Sequence, residues 1–175
     1  PTAAGTSAAA DAAFPATLAT KFGDVTINAK PTKVVALGWG DAETALALGV
    51  QPVGASDWLG FGGEGVGPWA KGLYTTPPVI IGTMEPSFEK IAALKPDLIL
   101  DVKGSGDQAR YDRLKSIAPT IGVPKGGDSY LTNQQQQLSM IAAALGEKAK
   151  GEALAKEVTD AFTAAAAAHP GWKGK

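Results

Sequence analysis

From residue 33 onward, short apolar runs alternate with stretches of helical periodicity. The runs are VVALG (34–38), PVGAS (52–56), VIIG (79–82), DLILDV (97–102) and TIGV (120–123). The first, third and fourth are apolar almost without interruption, as expected of strands buried on both faces. Between them stand helix signals. Asp41 can cap a helix running through Leu48, with Gly49 as its stop. Ser87 can cap FEKIAALK, which Pro96 ends, and Asp107 can cap QARYDRLKSIA, which Pro119 ends. Phe88, Ile91 and Leu94 recur at a spacing of three, as do Tyr111, Leu114 and Ile117.

Two further helices follow. Leu138, Ile141, Ala142 and Leu145 form one apolar stripe that stops at Gly146. Residues 147–168 place Leu154, Val158, Phe162 and Ala165 on one face of a helix roughly 30 Å long. Such a helix either covers the sheet or reaches past it. Upstream, LATKFGDVTINAKP carries two short alternating segments around Gly23-Asp24, which predicts a small hairpin turning there. The stretches ALKPDLIL and SIAPTIGV repeat one plan of helix end, proline and strand.

The whole pattern predicts an α/β fold. A Rossmann-like lobe holds a parallel sheet of about five strands with right-handed crossovers, flanked by helices, with an N-terminal hairpin and a long C-terminal helix. Residues 1–13, small and polar, read as a flexible leader. Residues 14–146 then form the lobe, 147–169 the long helix, and 170–175 a turn-like end.

Composition narrows the chemistry. The 175 residues carry a formal net charge of −1, which argues against nucleic acid as a partner. No apolar run reaches the roughly 20 residues that span a bilayer, and no signal peptide is visible. There is no cysteine and one histidine, His169, which excludes a Cys/His zinc site. His169 lies in HPGWKGK and reads as a solvated residue at a helix end. Neither a catalytic constellation nor a protein metal site is visible.

The glycine-rich WLGFGGEGVGPW (58–69) fails as a phosphate loop. Counted from Gly65, Ala70 stands where the Walker motif needs glycine, and Gly72 replaces its hydroxyl residue. Glu64 would repel a phosphate. LGWGDAE matches a dinucleotide fingerprint at Gly38 and Gly40, but Glu43 replaces the third glycine and Trp39 crowds the pyrophosphate position. Asp57 lies near the position of a ribose-binding acid. A nucleotide-cofactor enzyme domain built on Gly38 and Gly40 is therefore the alternative reading. The pairs Asp41/Glu43 and Glu85/Glu89 read as helix caps and first-turn charges.

In an open parallel sheet, ligands sit beyond the carboxyl ends of the strands. The residues there are Trp39 after the first strand, Asp57, Trp58 and the loop to Trp69 after the second, and Thr83 and Met84 after the third. Lys103 and Ser105 follow the fourth, and residues up to Tyr130 follow the fifth. Trp39, Trp58, Trp69, Thr83, Met84, Lys103, Ser105 and Tyr130 are the expected ligand-binding set. Aromatic rings with few charges suit a bulky ligand of low net charge. A module using Trp58 and Trp69 only to pack a partner surface is the third reading.

The stretches FGDVTINAKPTKVVALGWGDAETALALGV, PVGAS and above all PSFEKIAALKPDLIL carry a resemblance over residues 14–175 to the iron–siderophore substrate-binding proteins of ABC importers. That resemblance implies an extracytoplasmic binding protein, periplasmic or a cell-surface lipoprotein, without catalysis. Its partners would be a ferric siderophore and a transporter permease. Family members have two Rossmann-like lobes joined by a long helix. This chain resembles the amino-terminal lobe plus that helix, with residues 170–175 where a second lobe would begin. Residues 1–13 would be a tether to a lipid anchor whose cysteine is not in this sequence.

Glu89, within PSFEKI, matches the glutamate that pairs with permease arginines. Some hydroxamate binders carry an arginine just before the matching Glu-Pro step; here Thr83-Met84 stand there, with Lys103 and Arg110 as local substitutes. Catecholate complexes would need more cations, so the implied ligand is a neutral or weakly charged ferric hydroxamate. It supplies all the iron ligands, and no protein-bound cofactor is expected.

Overall fold

The computed structural model describes residues 13–172 and Gly174; most of the expected leader lies outside them. An antiparallel hairpin comes first, of β1 (Ala16–Thr20) and β2 (Gly23–Ile27). Five short strands then form one parallel sheet: β3 (Val34–Ala36), β4 (Gly54–Ser56), β5 (Val79–Gly82), β6 (Leu98–Leu100) and β7 (Thr120–Ile121). Their spatial order is β5-β4-β3-β6-β7. The helices are α1 (Asp41–Ala47), α2 (Phe88–Leu94), α3 (Gln108–Lys115), α4 (Gln134–Leu145) and α5 (Lys148–Ala168).

The two central strands, β3 and β6, are apolar throughout because both faces are covered. Alternation within them divides the core in two. Val34, Ala36, Leu98 and Leu100 face Ile141 and Leu145 of α4 and Ala45 of α1. Val35 and Ile99 point to the other side, where Ile91 of α2 and Leu114 of α3 meet them. Side chains set the helix starts. Ser87 accepts from Lys90 N–H, Asp107 from Arg110 N–H, and Asn133 forms a capping box with Gln136. Gly146, at φ 71°, ends α4 in the left-handed conformation.

Two expectations change, and one alternative is decided. The hairpin turns at Lys21 and Phe22, and Gly23-Asp24 opens β2. The Thr20 hydroxyl donates to Gly23 O and accepts from Phe22 N–H, which closes the turn. Phe22 stacks on Tyr111 at 4.1 Å, and Lys21 N–H donates to Val123 O, so the hairpin lies against α3 and the chain after β7. Asp41 starts α1 without capping it; the residue before α1 is Gly40, at φ 77°. The apolar stripe of α5 is only partly used: Leu154 and Ala155 pack on the core, while Phe162 is 74% exposed. The helix runs past the sheet instead of covering it.

Ile141 is fully buried, so Ile141→Ala should lower unfolding stability by about 2–5 kcal/mol. Phe162→Ala should change it by less than about 0.5 kcal/mol. Urea denaturation of both variants checks this, and an equally large loss at Phe162 would contradict the projecting end of α5.

Candidate functional site

After β3 the chain moves to β4 on one side, and after β6 it moves to β7 on the other. The two central strands therefore part at their carboxyl ends, and a crevice opens between the loops that follow them. Asp41 lies beneath this crevice, fully buried. Its carboxylate accepts from Gly38 N–H at 3.1 Å, Val102 N–H at 2.8 Å and Gln137 Nε2 at 2.7 Å. Gln137 Nε2 also donates to Trp39 O at 2.8 Å. One carboxylate thus ties the loop after β3, the loop after β6 and helix α4 together. Gly38 is required here, because a Cβ would collide with the Asp41 carboxylate and the backbone of Lys103. Burial pushes the Asp41 carboxyl up to about 7, against the pull of the Gln137 bond.

A second carboxylate fixes the same loop from outside. Asp101 takes a bidentate contact from Arg110, at 2.7 Å from Nη2 and 3.0 Å from Nε. Arg110 Nη1 donates to Met84 O at 3.2 Å, which attaches the segment after β5. Desolvation works against the Arg110 charge, but the hydrogen bond and charge of Asp101 more than offset it and hold its pKa above the ordinary value. Gly104 is a glycine for the same reason as Gly38: a Cβ would run into the Asp101 carboxylate.

On these loops stands a row of aromatic rings. Tyr130 stacks on Trp39 at 4.3 Å, and Trp39 on Trp58 at 5.8 Å. Phe61 meets Trp58 edge-on at 5.5 Å and Trp69 at 5.7 Å. Backbone bonds hold the first pair, from Trp39 N–H to Lys103 O at 3.0 Å and from Tyr130 N–H to Gly104 O at 2.9 Å. The Trp58 indole donates to Glu43 Oε1 at 3.1 Å.

The structure brings Trp39, Trp58, Tyr130 and Lys103 together. Trp69, 67% exposed, joins only through Phe61. Phe61 was not among the expected residues; an aromatic ring inside a glycine run was the available signal. Met84 and its neighbour Thr83, both exposed, join through the Arg110 bond to Met84 O. The Ser105 hydroxyl accepts from Asp107 N–H of its own loop. Glu89 is exposed in the first turn of α2. His169 stacks on Trp172 at 4.0 Å beyond α5. Asp57, the acid that a nucleotide would need, accepts instead from Phe61 and Gly62 N–H at 2.7 and 2.8 Å. Among the described residues, no group of His, Cys, Asp or Glu is suited to a metal ion.

Comparison with known proteins agrees with this fold. The family model described as periplasmic binding protein matches residues 34–175. A probable siderophore-binding lipoprotein of Bacillus subtilis, YfiY, is 35% identical over 130 residues, covering 72% of this chain and 37% of that protein. A periplasmic solute binding protein from Mycobacterium smegmatis superposes with a TM-score of 0.82 at 34% identity, over 89% of this chain and 55% of that one. Streptococcus pneumoniae PiaA in complex with ferrichrome gives 0.76 at 29% identity, over 88% and 52%. The chain spans about half the length of these two solved structures and less of the curated relative.

The carboxyl of Asp41 makes a signed pH prediction. Its folded value, about 7, lies above the ordinary 3.8, so the folded state binds the proton more tightly. That contribution is fully present below about pH 4 and is lost as pH rises to about 7. Asp41→Asn removes the titration. The variant should be less stable than the wild type at pH 4.5, with a deficit that shrinks by on the order of a few kcal/mol by pH 8. A deficit in urea denaturation that grows with pH would contradict this.

Proposed function

The chain belongs to the periplasmic binding protein family, and from that premise we propose that it captures a ferric siderophore outside the cytoplasm and delivers it to an ABC importer. The aromatic row across the carboxyl edge carries the reading. Trp39, Trp58, Phe61, Trp69 and Tyr130 give a wide, largely apolar row of rings, which fits a bulky ligand of low charge better than a phosphate. Thr83, Met84 and Lys103 would add to the ligand contacts at the ends of β5 and β6. Ser105 would serve mainly by shaping its loop.

The ligand class we favour is a ferric hydroxamate. Arg110 is already paired with Asp101. Lys21, Lys71, Lys103 and Lys125 remain as cations at or near the edge, beside the acids Glu43, Glu64, Glu85 and Asp128. A highly anionic catecholate complex would meet little compensating charge there. The solved PiaA relative holds ferrichrome, which supports a neutral hydroxamate here. Iron would travel inside the ligand as cargo, so the protein needs neither a metal site nor a catalytic group. A nucleotide-cofactor function is disfavoured, because Asp57 is occupied by its own loop.

In this reading residues 14–146 are one ligand-binding lobe and 147–169 the helix leading to a second. The projecting, exposed end of α5 supports that placement. Residues 1–13 would tether the lobe to a lipid anchor, and 170–175 would enter the second lobe. Exposed Glu89, at the start of α2, would pair with a cation of the permease and steer docking.

Tryptophan fluorescence should be quenched on titration with ferrichrome, and less by a ferric catecholate or ferric citrate. Quenching by NAD alone would overturn the siderophore reading. In cells carrying the full-length protein, Glu89→Ala should leave ferrichrome quenching intact and reduce iron uptake. Lost quenching with normal uptake would remove Glu89 from docking.

A further inference from the structure

A single carboxylate oxygen closes both ends of the glycine-rich segment. Glu43 Oε1 accepts the indole N–H of Trp58 at 3.1 Å and the backbone N–H of Gly67 at 3.5 Å. Between those two points, Gly60, Gly62, Gly63 and Gly65 all lie at positive φ. A Cβ on any of the first three would meet nothing within 4 Å, so the tip of the loop has little packing of its own there. What holds it is Asp57, which accepts from Phe61 and Gly62 N–H, and the edge-on contacts of the Phe61 ring. A loop this rich in glycine loses much conformational freedom when it is ordered.

We infer that Glu43 is a positioning residue of the ligand site: by holding Trp58 and Gly67 on one oxygen, it orders the glycine loop before any ligand arrives. The inference rests on reading the aromatic edge as a ferric siderophore site. Pre-ordering removes part of the entropic cost of binding. It also fixes the face that Trp58 offers beside Trp39. The other oxygen of Glu43, Oε2, is buried and has no partner among the described residues. Both contacts call for an acceptor oxygen at the Oε1 position. A glutamine can keep its amide oxygen where Oε1 sits, and no donor aimed at Oε2 is offended by the new NH2 group.

The first test needs no ligand. Near-UV circular dichroism reads the Trp39–Trp58 pair, and cleavage by a glutamate-specific protease at Glu64 reads the order of the loop. Glu43→Gln should match the wild type in both. Glu43→Ala should lose the paired-indole signal and be cut on the order of tenfold faster at Glu64, with a urea transition still cooperative. In ferrichrome titrations Glu43→Ala should bind on the order of tenfold more weakly, with Glu43→Gln close to wild type. In a Trp58→Phe background the same Glu43→Ala change should add less to the loss of binding, since the shorter of the two contacts of Glu43 is already gone.

An unchanged spectrum and cleavage rate in Glu43→Ala, or a Glu43→Gln variant as damaged as Glu43→Ala, would overturn the inference. So would an undiminished binding loss in the Trp58→Phe background. A wild type that binds no ferric complex would overturn the siderophore reading instead, and the ligand-free measurements would still decide the part played by Glu43.

Discussion

A carboxylate buried where the central strands diverge is the constraint on which the edge of this fold depends. Asp41 has no access to solvent, and an uncompensated charge there would be prohibitive. Three N–H donors converge on it, from the loop after β3, the loop after β6 and helix α4. Each donor comes from a different part of the chain, so the carboxylate is satisfied only when all three are in place. The crevice between β3 and β6 is thereby held to one shape. Gln137 extends the same network to the carbonyl of Trp39, so the ring that begins the aromatic row is placed by the group that closes the floor.

The outer parts of the edge use the same device with other carboxylates. Asp101 and Arg110 join the loop after β6 to the segment after β5. Asp57 and Glu43 fold the glycine loop back on itself. Asp41, Asp101, Asp57 and Glu43 are thus engaged in holding the edge together, and the aromatic rings are the surface proposed to meet the ligand. A wall of this kind recognises shape and apolar area more than charge, which suits the proposed carriage of iron already wrapped in an organic ligand.

Much of the scaffold was legible in the chain, for identifiable reasons. Continuous apolar runs such as VVA and LIL announce strands covered on both sides, and Ser87 and Asp107 sit where caps belong, as the structure has them. Topology then places Trp39, Trp58 and Tyr130 on one edge. What sequence could not show were contacts between distant parts. Asp41 stands at a capping position, but Val102 and Gln137 draw its side chain inward. Gly23-Asp24 looks like a turn, yet Phe22 turns the chain earlier and stacks on Tyr111, far away in sequence. Phe61 carried no periodic signal, because its partners Trp58 and Trp69 become neighbours only once the loop closes. The stripe on α5 shows an apolar face but not whether anything lies against it.

The most direct test is the position of the iron. Crystals of the chain grown with ferrichrome should show an anomalous iron peak beyond the carboxyl ends of β3 and β6, with the ligand lying against Trp39, Trp58 and Tyr130. An ordered iron peak on another surface, with this aromatic row left uncovered, would contradict the account.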